Sequence, residues 1–223
     1  MPTDSRSSSA TSSRPLPVRI RAWDGSQAGP TDAPLVTPLT GGATSPDLVA
    51  SVRYRLRGWN GHRADPVQDT RQALKELRHV AGPLPVVLVG HSMGARAALR
   101  AADDPQVRGV VALAPWCPPG EPTEHLADRM IMALHDEADR ITSATDTWNY
   151  LTRARAAGAR VRGVRMHRGR HAMIRDARLW HRLTTTSAAA VLGLTSPPCS
   201  ARYAETAWSA DPMDASDITL PGH

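Results

Sequence analysis

The sequence predicts an α/β fold, a mostly parallel sheet with helices on both faces. Two observations carry that prediction. Between residues 16 and 193, short runs rich in Val, Ile and Leu alternate with segments whose apolar residues recur at helical spacing. Residues 85–100, PVVLVGHSMGARAALR, pass from a β-branched run to an Ala- and Arg-rich run with only Gly90 to Gly94 between them. Strands alternating with helices at this spacing build parallel sheets covered on both sides, and function in such sheets collects at the carboxyl ends of the strands.

The elements follow in order. Residues 18–23 read as a strand, 35–39 as a weak strand interrupted by prolines, and 52–56 as another. Asp65-Pro66 opens a helix, with Asp as N-cap and Pro at the first helical position, and Val67, Leu74, Leu77 and Ala81 lie on one face. Residues 86–89 are a strand and 93–102 a helix; 107–113 and 130–134 are apolar strands. Thr142 or Ser143 caps a helix that stops at Gly158. Residues 161–166 are the last strand, and 172–183 the last helix, with Met173, Ala177, Trp180 and Leu183 along one stripe. Residues 1–15 are Ser-rich with almost nothing apolar and form an N-terminal tail expected to be disordered; the domain spans 16–193, and 194–223 form a C-terminal tail.

Composition narrows the function classes. The 223 residues include 27 Lys and Arg, of which Lys75 is the only lysine, against 21 Asp and Glu, and there is no Phe. That bias points to a GC-rich bacterial genome. The net charge of +6 is spread along the chain among acidic residues. A spread charge is a solvated surface rather than a nucleic-acid face. Cys117 and Cys199 lie far apart and make neither a metal motif nor a disulfide framework. The N-terminus lacks the apolar core of a secretory signal and no apolar run reaches membrane-spanning length, so the expected setting is the cytoplasm, with no membrane partner.

Three strand ends carry chemistry. Ser92 follows the strand at 86, the run His135-Asp136-Glu137-Ala138-Asp139 follows the strand at 130, and Gly169-Arg170-His171 follows the strand at 161. In chain order this is serine, carboxylate, histidine. A serine hydroxyl attacks only when a base takes its proton; histidine does so near neutral pH, and a carboxylate fixes its tautomer.

Here the sequence resembles a known family. G-H-S-M-G matches the G-x-S-x-G nucleophile elbow of α/β-hydrolases, in that family's order of nucleophile, acid and base. H-D-E-A-D is similar to the family's H-G-x-x-D segment, with Asp136 in place of glycine, and puts the acid at Asp139; Asp136 and Glu137 then read as solvated loop charges. G-R-H-A opening a helix resembles the base loop and puts the base at His171, with His167 as its competitor. The resemblance covers about residues 34–192 and implies two backbone donors for a developing oxyanion. One is the N–H of Met93. The second would come from Gly42, in Thr40-Gly41-Gly42, or from the 57–61 loop holding Trp59 and Asn60. Trp59, Asn60, His91 and Trp116 are the candidate pocket residues. Only residues 43–50 separate Gly42 from the next strand, where a parallel crossover takes a dozen or more, so the family's helix there would be missing or cut to residues 46–50, and either the early sheet is rearranged or the chain is a degenerate member. Residues 117–129 are too few for a helical cap, which implies a lidless, open site.

The resemblance thus implies a serine hydrolase that cleaves an ester-type bond of a small soluble acyl substrate through an acyl-enzyme, with no cofactor and no metal. The alternative is an inactive relative that binds a small molecule or partner. Thr40 and the short 43–50 segment are its support. Oligomeric state and substrate identity are not written in the sequence.

Overall fold

Val86, Val87 and Leu88 are each 2% exposed or less, and they alternate between two apolar clusters on opposite sides of one sheet. That is the signature of a strand buried on both faces. The computed structural model describes residues 48–193 except Arg168, together with the backbone of three further strands at 18–22, 36–40 and 218–219. Its strands are β1 (Val18–Ala22), β2 (Val36–Thr40), β3 (Leu48–Val52), β4 (Val86–His91), β5 (Val107–Leu113), β6 (Met130–Asp136), β7 (Arg160–Met166) and β8 (Ile218–Thr219). They form one eight-stranded sheet in the order β2-β3-β1-β4-β5-β6-β7-β8. All pairings are parallel except β2 with β3.

Helices cover both faces. α1 (Asp65–Ala81), α2 (Met93–Arg100) and α3 (Ala144–Ala156) pack Leu74, Leu77, Leu99, Tyr150 and Leu151 against Val86, Leu88 and Val110. On the other face α4 (Ala177–Val191) packs Trp180, Leu183 and Val191 against Val87, Val111 and Met132. Among the described residues, no helix is long and apolar enough to cross a membrane. The connection between β5 and β6 holds only a 3-10 turn at Glu124–Leu126, so no helical cap is inserted there.

Four expectations need correction. The early sheet is not built by a parallel crossover: β2 runs antiparallel to β3, pairing Thr40 with Leu48 and Val36 with Val52. Antiparallel neighbours need only a short connection. The segment expected to hold a cut-down helix therefore leads into β3, which already includes Leu48 to Ala50. β3 ends at Val52 instead of starting there, and Leu56 is 46% exposed. The first helix starts at Asp65, but its N-cap is Ala64 and no side chain caps it. The last helix begins at Ala177, five residues later than the apolar stripe suggested, which leaves His171 on an irregular loop. The N-terminal tail at 1–15 lies outside the described residues. Ile218–Thr219 joins the sheet beside β7, within the segment expected to be a C-terminal tail.

Candidate active site

The register sets Ala22, Val52, Gly90, Ala112, Leu134 and Met166 toward the same edge of the sheet, and the chain leaves β4 there through Ser92. Ser92 has φ 53° and ψ −118°, a conformation that L-residues rarely hold and that costs about 1–3 kcal/mol. The surroundings impose it. Ser92 N–H donates to Leu113 C=O at 2.9 Å, and Ser92 C=O accepts from Trp116 N–H and Arg96 N–H, each at 3.2 Å. Gly90 is required by the same turn, because a Cβ there would lie 2.5 Å from Gly94 O and 2.6 Å from Ala95 N. As the first residue of α2, Met93 has an N–H with no intrahelical acceptor, which leaves it available as a donor beside the serine.

Asp139 stands in the turn after β6, and its side chain is fully covered. His171 Nδ1 is 2.8 Å from Asp139 Oδ2; of the two histidines weighed for the base, it is this one that meets the carboxylate. Thr142 Oγ1 donates to the same oxygen at 2.9 Å, and His135 Nε2 lies 3.2 Å from it. Oδ1 accepts the N–H groups of Ile141 at 2.8 Å and Thr142 at 3.3 Å. Burial pushes the carboxyl pKa up, but the Ile141 N–H, His171 and Thr142 bonds outweigh it and bring it to about 2. A carboxylate accepts only, so His171 carries its proton on Nδ1, and its Nε2 lone pair is left to act as a base.

Sequence reasoning missed His135 and Thr142. His135 is completely buried, and burial lowers its pKa despite the pull of Asp139. A neutral ring that donates from Nε2 accepts at Nδ1, where Thr147 Oγ1 sits 2.8 Å away. Its signal was the first letter of H-D-E-A-D. Asp136 corrects an expectation outright. It is 1% exposed rather than solvated, and its oxygens accept Ala138 N–H at 2.8 Å and Arg170 N–H at 2.7 Å. Glu137 is the exposed one, accepting from Trp148 Nε1 and paired with Arg165. His91 sits against the base as well, with ring centroids 4.7 Å apart and its Nε2 bonded to His171 C=O at 2.8 Å.

The other side of Ser92 is built from tryptophan and arginine. The Arg96 guanidinium lies 3.7 Å from the Trp59 ring centre and 4.4 Å from that of Trp116, and the two rings meet edge to face at 5.9 Å. Arg96 also reaches the buried Glu121 at 2.7 Å, and Arg100 pairs with the second oxygen of that carboxylate. Trp59 and Trp116 therefore pack against each other and against Arg96, with Trp59 also resting on the hydrophobic core. Asn60 adopts a left-handed backbone, and its buried Nδ2 has no hydrogen-bond partner. Cys117 is buried, and burial pushes its thiol up, away from thiolate chemistry.

Gly42 itself lies outside the described residues. The strand leading to it ends at Thr40, which pairs with Leu48; Leu48 is level with Val18, and Val18 with Val86. That is the amino end of β4, opposite Ser92, so β2 ends at the edge of the sheet away from Ser92. The strand beside β4 is β1, which ends at Ala22 next to Gly90, while the Trp59-Asn60 loop follows β3 at the carboxyl edge.

Comparison with known proteins agrees with this architecture. A profile of the alpha/beta hydrolase family matches residues 19–223. No curated protein gave a significant sequence match. Among solved structures, the chain is similar to an alpha/beta hydrolase enzyme from a Medee basin deep-sea metagenome library, with 19% identity, 67% of this chain and 73% of that one covered, and a TM-score of 0.57. It is similar to a thermophilic esterase from the planctomycete Thermogutta terrifontis with propionate bound, at 16% identity, 84% and 88% coverage and a TM-score of 0.57. A putative alpha/beta hydrolase from Agrobacterium tumefaciens matches at 13% identity, 83% and 91% coverage and a TM-score of 0.59. With a strained serine between β4 and α2, a carboxylate after β6, a histidine after β7 and a family profile spanning nearly the whole chain, this protein belongs to the alpha/beta hydrolase family.

Proposed function

We propose that this protein is a serine hydrolase that cleaves ester-type acyl bonds of small substrates through an acyl-enzyme. The observation that carries the reading is the 2.8 Å contact between His171 Nδ1 and Asp139 Oδ2, made on a loop that His91, the neighbour of Ser92, also holds. In the proposed reaction Ser92 Oγ attacks the acyl carbon while His171 Nε2 takes its proton. The tetrahedral oxyanion is met by Met93 N–H, with a second donor from the Trp59-Asn60 loop. His171 then returns the proton to the departing alcohol, and water repeats the sequence to free the acid.

Two observations bear on substrate size. The short β5–β6 connection brings no cap over the edge, and Trp116 beside Ser92 is 38% exposed. The Thermogutta esterase was solved with propionate and with butyrate. We therefore place short acyl chains first. The reading of an inactive binding protein loses one of its two supports, because the β2–β3 pairing accounts for the short 43–50 segment.

The test is hydrolysis of p-nitrophenyl acetate and butyrate. Ser92→Ala should fall to the uncatalysed background with an unchanged circular dichroism spectrum. A mutant as active as the wild type would overturn the serine mechanism.

A further inference from the structure

His171 sits in the stretch 167–176, whose described residues contain neither helix nor strand. Four backbone positions there are left-handed: Gly169 at φ 118°, Arg170 at 50°, Met173 at 54° and Asp176 at 57°. Gly169 is pinned against α4, since a Cβ there would lie 2.5 Å from Trp180 Nε1. A loop of this kind does not hold a base in place by its own hydrogen bonding, because its backbone groups are not paired in a ladder.

Two side chains grip the backbone on either side of the base. Asp136 Oδ2 accepts the Arg170 N–H at 2.7 Å, and His91 Nε2 meets His171 C=O at 2.8 Å. A carbonyl accepts only, so His91 carries its proton on Nε2 and donates it. Each gripping residue also belongs to a second candidate element. Asp136 Oδ1 accepts Ala138 N–H at 2.8 Å and its C=O accepts Asp139 N–H at 3.0 Å, closing the turn that presents the acid. His91 ends β4 and precedes Ser92. Among the described residues, the buried Asp136 carboxylate is bonded to backbone N–H groups and to no cation. A glycine at 136, as in the H-G-x-x-D segment this stretch resembles, could make neither side-chain bond.

We propose that Asp136 and His91 are positioning residues, a two-point clamp that fixes the His171 backbone relative to Asp139 on one side and Ser92 on the other. The kinetic part of the proposal rests on the serine-hydrolase reading; the structural part does not. Loss of either grip lets the imidazole drift, and a displacement of about 1 Å in a reacting group costs on the order of 10²-fold in rate.

The test pairs hydrogen exchange at the backbone amides of 170–173 with steady-state kinetics on a p-nitrophenyl ester. Asp136→Gly and His91→Ala should each expose these amides and lower kcat by roughly 10- to 100-fold, with KM changed by no more than about twofold. Asp136→Asn keeps one acceptor and should lie between wild type and Asp136→Gly. His91→Gln restores a donor and should recover both protection and kcat. Glu137→Gln, exposed and next in sequence, should match wild type in both. Unchanged protection and unchanged kcat in both Asp136→Gly and His91→Ala would overturn the clamp. Should Asp136→Gly fail to fold by circular dichroism, the contrast between His91→Ala and His91→Gln decides, and absence of that contrast overturns the clamp. Should the wild type hydrolyse no ester, exchange alone decides the clamp, and the failure falls on the serine-hydrolase reading.

Discussion

Two carboxylates with covered side chains, Glu121 and Asp139, are satisfied in opposite ways. Glu121, 2% exposed, is held by the guanidinium groups of Arg96 and Arg100, while Arg153 donates to its backbone carbonyl. Asp139, fully covered at its side chain, is held by two histidines, a hydroxyl and two peptide N–H groups. Arginine stays charged at any working pH, so the first carboxylate is locked into an ion pair that fixes α2 and the two tryptophans. Histidine can exchange a proton, so the second carboxylate can stabilise a charge that comes and goes on His171. Burial is common to both carboxylates; the titratability of the partner is what sets them apart.

Mutation should separate the two. The largest effect is expected at the acid: Asp139→Asn should lower kcat by about 10⁴, because the base loses its tautomer control, and should also cost some stability, because the fold holds this carboxyl charged. Full turnover in that variant would erase the distinction drawn here. Glu121→Gln should act on stability alone. Leaving the buried Arg96 unpaired costs about 3–5 kcal/mol, read as a lowered urea midpoint, while the folded fraction keeps most of its activity. Equal losses of activity in the two variants would mean that both carboxylates serve the reaction.

A smaller effect concerns His135. Its folded-state pKa lies below the ordinary histidine value because it is buried. The unfolded chain therefore takes up a proton below about pH 6.5 that the folded chain refuses. The stability linked to this residue is complete above that pH and falls as pH drops, by up to about 1.4 kcal/mol per unit. His135→Gln, which keeps an N–H for Asp139, should flatten the dependence of the urea midpoint on pH between 5 and 7. Asp139 does not interfere in that window, since its contribution is lost as pH falls from the ordinary aspartate value near 3.8 through its folded value of about 2. An unchanged slope would show that His135 is not held neutral.

What the sequence disclosed was local. The β-branched run into G-H-S-M-G specified a strand, a turn that needs Gly90, and a helix, and the structure has each of them. Asp139 and His171 were legible because each stands just past a strand, and strand ends gather at one edge. What stayed hidden was decided at a distance. Whether Val36–Thr40 pairs parallel or antiparallel depends on its neighbour β3, and a short strand containing Pro38 does not encode that choice. Asp136 looks solvated in its own segment, yet the Arg170 peptide, 34 residues on, covers it. His171 was expected at the opening of a helix because apolar residues from Met173 onward keep helical spacing, but left-handed conformations at Met173 and Asp176 delay the helix to Ala177.

The central claim is that Ser92 is a nucleophile activated by His171 on the Asp139 side. The most direct measurement is labelling of the purified protein with a fluorophosphonate, followed by mass spectrometry of its peptides. The account predicts one adduct, on the peptide that contains Ser92, absent in Ser92→Ala and formed far more slowly in His171→Ala. No adduct on the folded wild type, or an adduct on another residue, would contradict it.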